Sequence, residues 1–162
     1  MGGSTLYDDD ILLWSEQQAA ALRRLRDGPR GLPNELDIDN VAEEIESVGR
    51  SELAAVKSYL RLILLHLLKL ATEEHAEAAG HWGGELAAFR ADLADRYAPS
   101  MQQRIDLDAL WGDVVRRIRL DPALAAIDPA RLPIGCPFDL DDIANGQLGD
   151  MALVERLRAA FS

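Results

Sequence analysis

Apolar residues recur at steps of three and four along most of this chain, the period of helices that bury one face. Ile11, Trp14, Leu22 and Leu25 make one such face, interrupted by Gln18, which reads as a polar residue setting helix register across a core. Thr5 and Asp8 have capping-box spacing, and Asp8, Asp9 and Asp10 suit the positive end of a helix dipole. One helix is therefore predicted from Thr5, with Arg23, Arg24 and Arg26 in its last turn and Gly28-Pro29 as its stop.

Asp37, Asp39 or Asn40 can cap a second helix, whose stripe runs through Val41, Ile45, Val48, Val56, Leu60, Ile63, Leu67 and Leu70 without losing phase. Gly49 lies inside that stripe at a cost of about 1 kcal/mol against alanine, so it marks a close helix crossing or a kink. We read one helix of about 33 residues, roughly 50 Å long. Glu73 to Gly84, with three glycines, is predicted as a connection. Trp82, Leu86, Phe89, Leu93 and Tyr97 then define a third helix, ended by Pro99. Ser100 and Gln103 have capping-box spacing ahead of a fourth, with Met101, Ile105, Trp111, Val115 and Ile118 inward.

After Leu120 the period is lost. Asp121-Pro122 and Asp128-Pro129 each place a capping acid before a proline at a first helical position, predicting two short turns. Asp139 caps a short helix closed by Asn145-Gly146, and Asp150 caps a last one with Leu153, Val154, Leu157 and Phe161 on one face. The predicted fold is all-α, a single domain over residues 1–162: an antiparallel bundle of four main helices, a proline-rich extension and a short C-terminal helix.

Charge and composition narrow the function classes. With 28 Asp and Glu against 17 Lys and Arg, the net charge of −11 repels the phosphates that dominate nucleic-acid affinity, so direct binding to DNA or RNA is not expected. The most apolar stretch, Leu53 to Leu70, carries Lys57, Arg61, His66 and Lys69 and reads as a core helix rather than a membrane span. One cysteine, Cys136, forms no internal disulfide, and the acidic start has no basic or apolar leader pattern, which together predict the cytoplasm.

No catalytic motif stands out, so enzyme status is left open and no cofactor is expected. Glu43, Glu44 and Glu46 read as dipole-favoured surface acids, because the Glu-x-x-His partner segment of a di-metal bundle is absent. His66 reads as a partly buried histidine satisfied by one hydrogen bond, and Cys136 as a packed or half-exposed thiol in a proline-bounded loop. The arginines near residues 23–30 and 116–119 are explained by their helix C-termini. The metal-ligand candidates are Glu73, Glu77 and His81: spaced four apart, Glu73 with Glu77 and Glu77 with His81 share a face if the segment is helical. A third ligand must come from another helix, and an exposed acidic connection accounts for the same residues.

Three segments carry a resemblance. Tyr7-Asp8-Asp9-Asp10 with Trp14, Gln18, Leu22 and Arg23 is similar to the opening of the bacterial family known as domain of unknown function twenty-nine. Leu36-Asp37 through Val41-Ala42-Glu43-Glu44-Ile45-Glu46-Ser47-Val48-Gly49-Arg50-Ser51-Glu52 resembles its most recognisable segment, and Leu64-Leu65-His66-Leu67-Leu68-Lys69 resembles the end of the same helix. Weaker likeness continues through Trp82, Arg90, Pro99-Ser100 and Pro133-Ile134-Gly135-Cys136-Pro137-Phe138, so the match spans residues 6–145 and leaves 148–162 as a helical addition. The resemblance implies a helical fold and no established activity. The functional expectation is a cytoplasmic protein-interaction module, self-association included, and the alternative is a small metal-binding protein or metal-dependent enzyme with its site in or at the end of the bundle.

Overall fold

Asp10 divides what the periodicity predicts as one helix. The structure, a computed structural model, describes residues 5–28, 31–72 and 76–161. Helix α1 is the single turn Leu6–Asp9, started by the reciprocal Thr5–Asp8 box, and α2 runs Ile11–Arg26. Asp10, only 6% exposed, accepts the Leu13 backbone N–H on Oδ1 at 3.0 Å and so caps α2. The same carboxylate accepts the Ser100 N–H at 3.0 Å and its hydroxyl at 2.6 Å. Ser100 thus does not start the fourth helix. Pro99–Arg104 is a 3-10 turn instead, with Met101 fully buried, and Asp106 caps the next helix by accepting the Ala109 N–H at 2.9 Å.

Helix α3, Ile38–Thr72, is one uninterrupted 35-residue helix, as the continuous stripe predicts. Asp37 is the capping acid among the three candidates, accepting the Asn40 N–H at 3.2 Å. Gly49 marks a crossing and not a kink: a Cβ there would overlap Ser15 Oγ and stand 3.0 Å from Leu12 Cα. This close approach moves the buried face of α2 by one residue from the predicted stripe. Leu12, Ser15 and Ala19 are buried, while Gln18 is exposed and so sets no register. The matching line on α3 is Ile38, Ala42 and Gly49, which leaves Val41 and Val48 at the surface. Small residues win these positions because only they let two backbones come so near.

From Val56 onward α3 is buried more broadly, with Ile63 to Leu68 all inside. Helix α4, Ala76–Arg96, starts earlier than predicted and passes through Gly80, Gly83 and Gly84, so most of the expected connection is helix. Its inward residues are the predicted ones, Leu86 and Leu93 fully buried and Phe89 and Tyr97 half-buried. Helix α5, Leu107–Leu120, buries Leu110, Trp111, Val114 and Ile118. The proline-rich extension forms two 3-10 turns, Pro122–Leu124 and Pro129–Arg131, with Asp121 and Asp128 as their caps.

Helix α6, Leu140–Ala144, carries the Asp139–Asp142 box, and Gly146 beyond it takes φ 64°, a left-handed turn suited to glycine. Helix α7, Asp150–Ala159, is capped by Gly149 rather than Asp150 and buries Leu153, Val154 and Leu157. Arg90 holds its start through Asp150 and the Leu148 carbonyl, while Arg158 donates to the Leu70 and Ala71 carbonyls at 3.1 and 3.2 Å.

Two compact units result, one of residues up to Ala55 with Ala98–Arg104, the other of Val56–Tyr97 with residues from Ile105 onward. The four main helices are α2, α3, α4 and α5, and no strand occurs among the described residues. No helix among these residues is long and apolar enough to cross a membrane.

Candidate interaction groove

Of the predicted metal ligands, Glu73 lies outside the described residues, while Glu77 and His81 are both on α4 and exposed. His81 Nε2 faces Glu85 Oε1 at 3.6 Å. Among the described residues no three His, Cys, Asp or Glu side chains converge in a way that holds a metal ion. Glu43 and Glu46 are bound up in ion pairs instead. Arg23 reaches Glu46 at 2.6 Å and Glu43 at 3.7 Å, Arg50 reaches Glu43 at 2.6 Å, and Glu46 is held below the usual carboxylate range by its Arg23 hydrogen bond. Burial pushes the Cys136 thiol up to about 12, which makes it unreactive as a thiolate.

His66 makes two contacts where one is expected from sequence. Its Nδ1 lies 2.8 Å from the Leu62 carbonyl and its Nε2 2.9 Å from Glu85 Oε2, and the ring packs edge-on against Phe89 at 5.1 Å. Glu85 is held below its usual range, chiefly by this hydrogen bond. The pair ties α3 to α4 inside the second unit, and with the ring 5% exposed it presents little to a ligand.

One surface feature is a groove of roughly 530 Å³ between the outer face of α5 and the chain from Pro129 to Ile134. Val115 and Leu132 line it, Pro133 and Ile134 form one rim, and Arg116 and Arg119 the other. Trp111 beneath is 1% exposed and donates its indole N–H to the Pro133 carbonyl at 2.9 Å, which ties the rim to the helix. Ile134, in contrast, is 104% exposed. Asp113 accepts Arg61 Nε and Nη2 on Oδ2 at 3.0 and 2.9 Å and Arg116 Nη1 on Oδ1 at 3.2 Å, so two guanidiniums share one carboxylate. Arg119 makes no ion pair among the described residues. In the sequence these arginines are explained by a helix terminus, and Ile134 stands only within the Pro133–Phe138 likeness to the family, with no surface role. The available signal is an aliphatic residue between Pro133 and Gly135, outside every helical stripe.

The family model for "Domain of unknown function DUF29" matches residues 6–148. The chain belongs to this family. The whole groove lies inside the DUF29 region, whereas α7 begins just beyond it. This DUF29 chain is also similar to an alpha-helical protein of unknown function from Rhodospirillum rubrum, known from a crystal structure at 1.45 Å resolution. The two are 30% identical, the likeness covers 96% of this chain and 99% of the other, and the TM-score is 0.84. No curated protein matches the DUF29 chain by sequence.

Proposed function

We propose that this chain is a cytoplasmic protein-interaction module that docks a segment of a partner protein in the α5 groove. The observation that carries the reading is Ile134, a branched aliphatic side chain wholly in water on the rim of an apolar groove. Burial of such a side chain is worth about 1.5–3 kcal/mol, and a rim anchored through Trp111 presents it in a fixed place. The C-terminal helix does not compete for this role, since its apolar face is buried within its own unit. A cytoplasmic setting fits the single, half-buried, unpaired thiol.

A photo-cross-linking residue in place of Ile134, introduced in living cells, tests the reading. The expected result is one discrete covalent adduct, a second copy of this chain included. That adduct disappears when Val115→Glu fills the groove, and a cross-linker at exposed Ala152 does not produce it. No adduct at 134, or one indifferent to Val115→Glu, overturns the proposal.

A further inference from the structure

Resting on that docking role, we infer that the partner segment is acidic, with an aliphatic or aromatic anchor flanked by carboxylates. The chain carries a net charge of −11, yet the lining of this groove contains two arginines and no Asp or Glu. Around it, Asp113 is shared by Arg61 and Arg116, and Asp108 lies beyond Ile134, where it accepts the Cys136 N–H at 2.7 Å. The groove's own lining is thus positively charged on a protein whose far field is negative. At physiological salt the far field is damped within about 8 Å, so a docked ligand experiences mainly the rim.

Guanidinium groups present paired N–H donors that fit carboxylates, while Val115, Leu132, Pro133 and Ile134 offer no hydrogen-bonding side chain. The floor selects an apolar anchor and the rim selects its acidic neighbours. Phosphate polymers are disfavoured, because a long polyanion extends beyond the groove into the acidic surface.

The test uses the full chain and NMR, with the Trp111 indole N–H and the Val115 methyls as reporters inside the groove. The probes are a hexapeptide with a Leu-Phe core flanked by two glutamates on each side, its serine- and lysine-flanked counterparts, and a short oligothymidylate. The expected result is that the glutamate peptide moves the Trp111 and Val115 signals and binds roughly tenfold tighter than the serine peptide, the worth of two exposed ion pairs. That preference collapses at molar salt. Combined Arg116→Glu and Arg119→Glu reverses it in favour of the lysine peptide, in a protein whose remaining spectrum is unchanged. Equal binding of the glutamate and serine peptides, equal or tighter binding of oligothymidylate, no shift with any peptide, or a preference untouched by the arginine reversals each overturns the inference. The two proposals fail separately. An adduct at 134 that survives the arginine reversal removes acidic selection and leaves docking, whereas absence of an adduct removes docking itself.

Discussion

Two halves of one helix are buried in different ways. Between Ile38 and Ala55, α3 buries only a narrow line, Ile38, Ala42 and Gly49, and leaves Val41 and Val48 40% and 43% exposed. Its flank there is held by Arg23, Glu43, Glu46 and Arg50, exposed pairs of the kind worth about 0.2–1 kcal/mol each. From Val56 to Leu68 the same helix buries Leu60, Ile63, Leu64, Leu67 and Leu68 completely, and each such side chain contributes about 1.5–3 kcal/mol. The first half is specified by how closely backbones approach, the second by how much apolar volume is enclosed. An uninterrupted stripe of hydrophobic residues therefore does not imply uniform packing along a helix.

The largest effect expected from this contrast comes from removing volume. Leu60→Ala or Ile63→Ala should cost about 2–5 kcal/mol, since each deletion loses transfer energy and leaves a cavity, whereas Val48→Ala on the exposed side should stay within about 0.5 kcal/mol. Urea unfolding monitored by circular dichroism measures the difference, and similar losses at all three sites would erase the distinction between the halves.

Adding volume probes the other half. Gly49→Ala gains about 1 kcal/mol in helix propensity but forces a Cβ toward Leu12 Cα and into Ser15 Oγ, and such overpacking costs about 1–3 kcal/mol. A net loss is expected, recovered in part by Ser15→Ala, which removes the overlapping hydroxyl. Stabilisation by Gly49→Ala alone would show that the crossing is looser than its geometry indicates.

A smaller and pH-dependent effect belongs to His66, the buried polar side chain of the leucine-rich half, and its partner Glu85. The folded state lowers the Glu85 value through its His66 hydrogen bond, so the unfolded chain binds this proton more tightly. The resulting stability is present above the unfolded value and is lost as pH falls through the folded one. Unfolding midpoints of wild type and Glu85→Gln, compared from about pH 7 down to pH 3, should differ at neutral pH and converge in acid. A gap that stays constant through the acid range would mean that the carboxylate does not contribute as a charge.

The sequence by itself determined the class, the four main helices, the unbroken course of α3, the two Asp-Pro turns and the stop at Asn145-Gly146. These features rest on periodicity, capping and backbone restriction, which act within a few residues. Only the tertiary structure decided which of two adjacent stripes on α2 turns inward, because that choice depends on the space Gly49 opens in another helix. It also decided that Asp10 ends one helix and caps the next while holding Ser100, a partner 90 positions away. The stretch after Thr72 shows the same limit: three glycines argue locally against helix, yet α4 runs through them with Leu86 and Leu93 fully buried farther along. The groove was out of reach for a related reason. Its two rims come from residues that read separately as a helix terminus and a proline-rich turn, and they meet through long-range contacts such as the Trp111 hydrogen bond to Pro133 and that of Cys136 to Asp108.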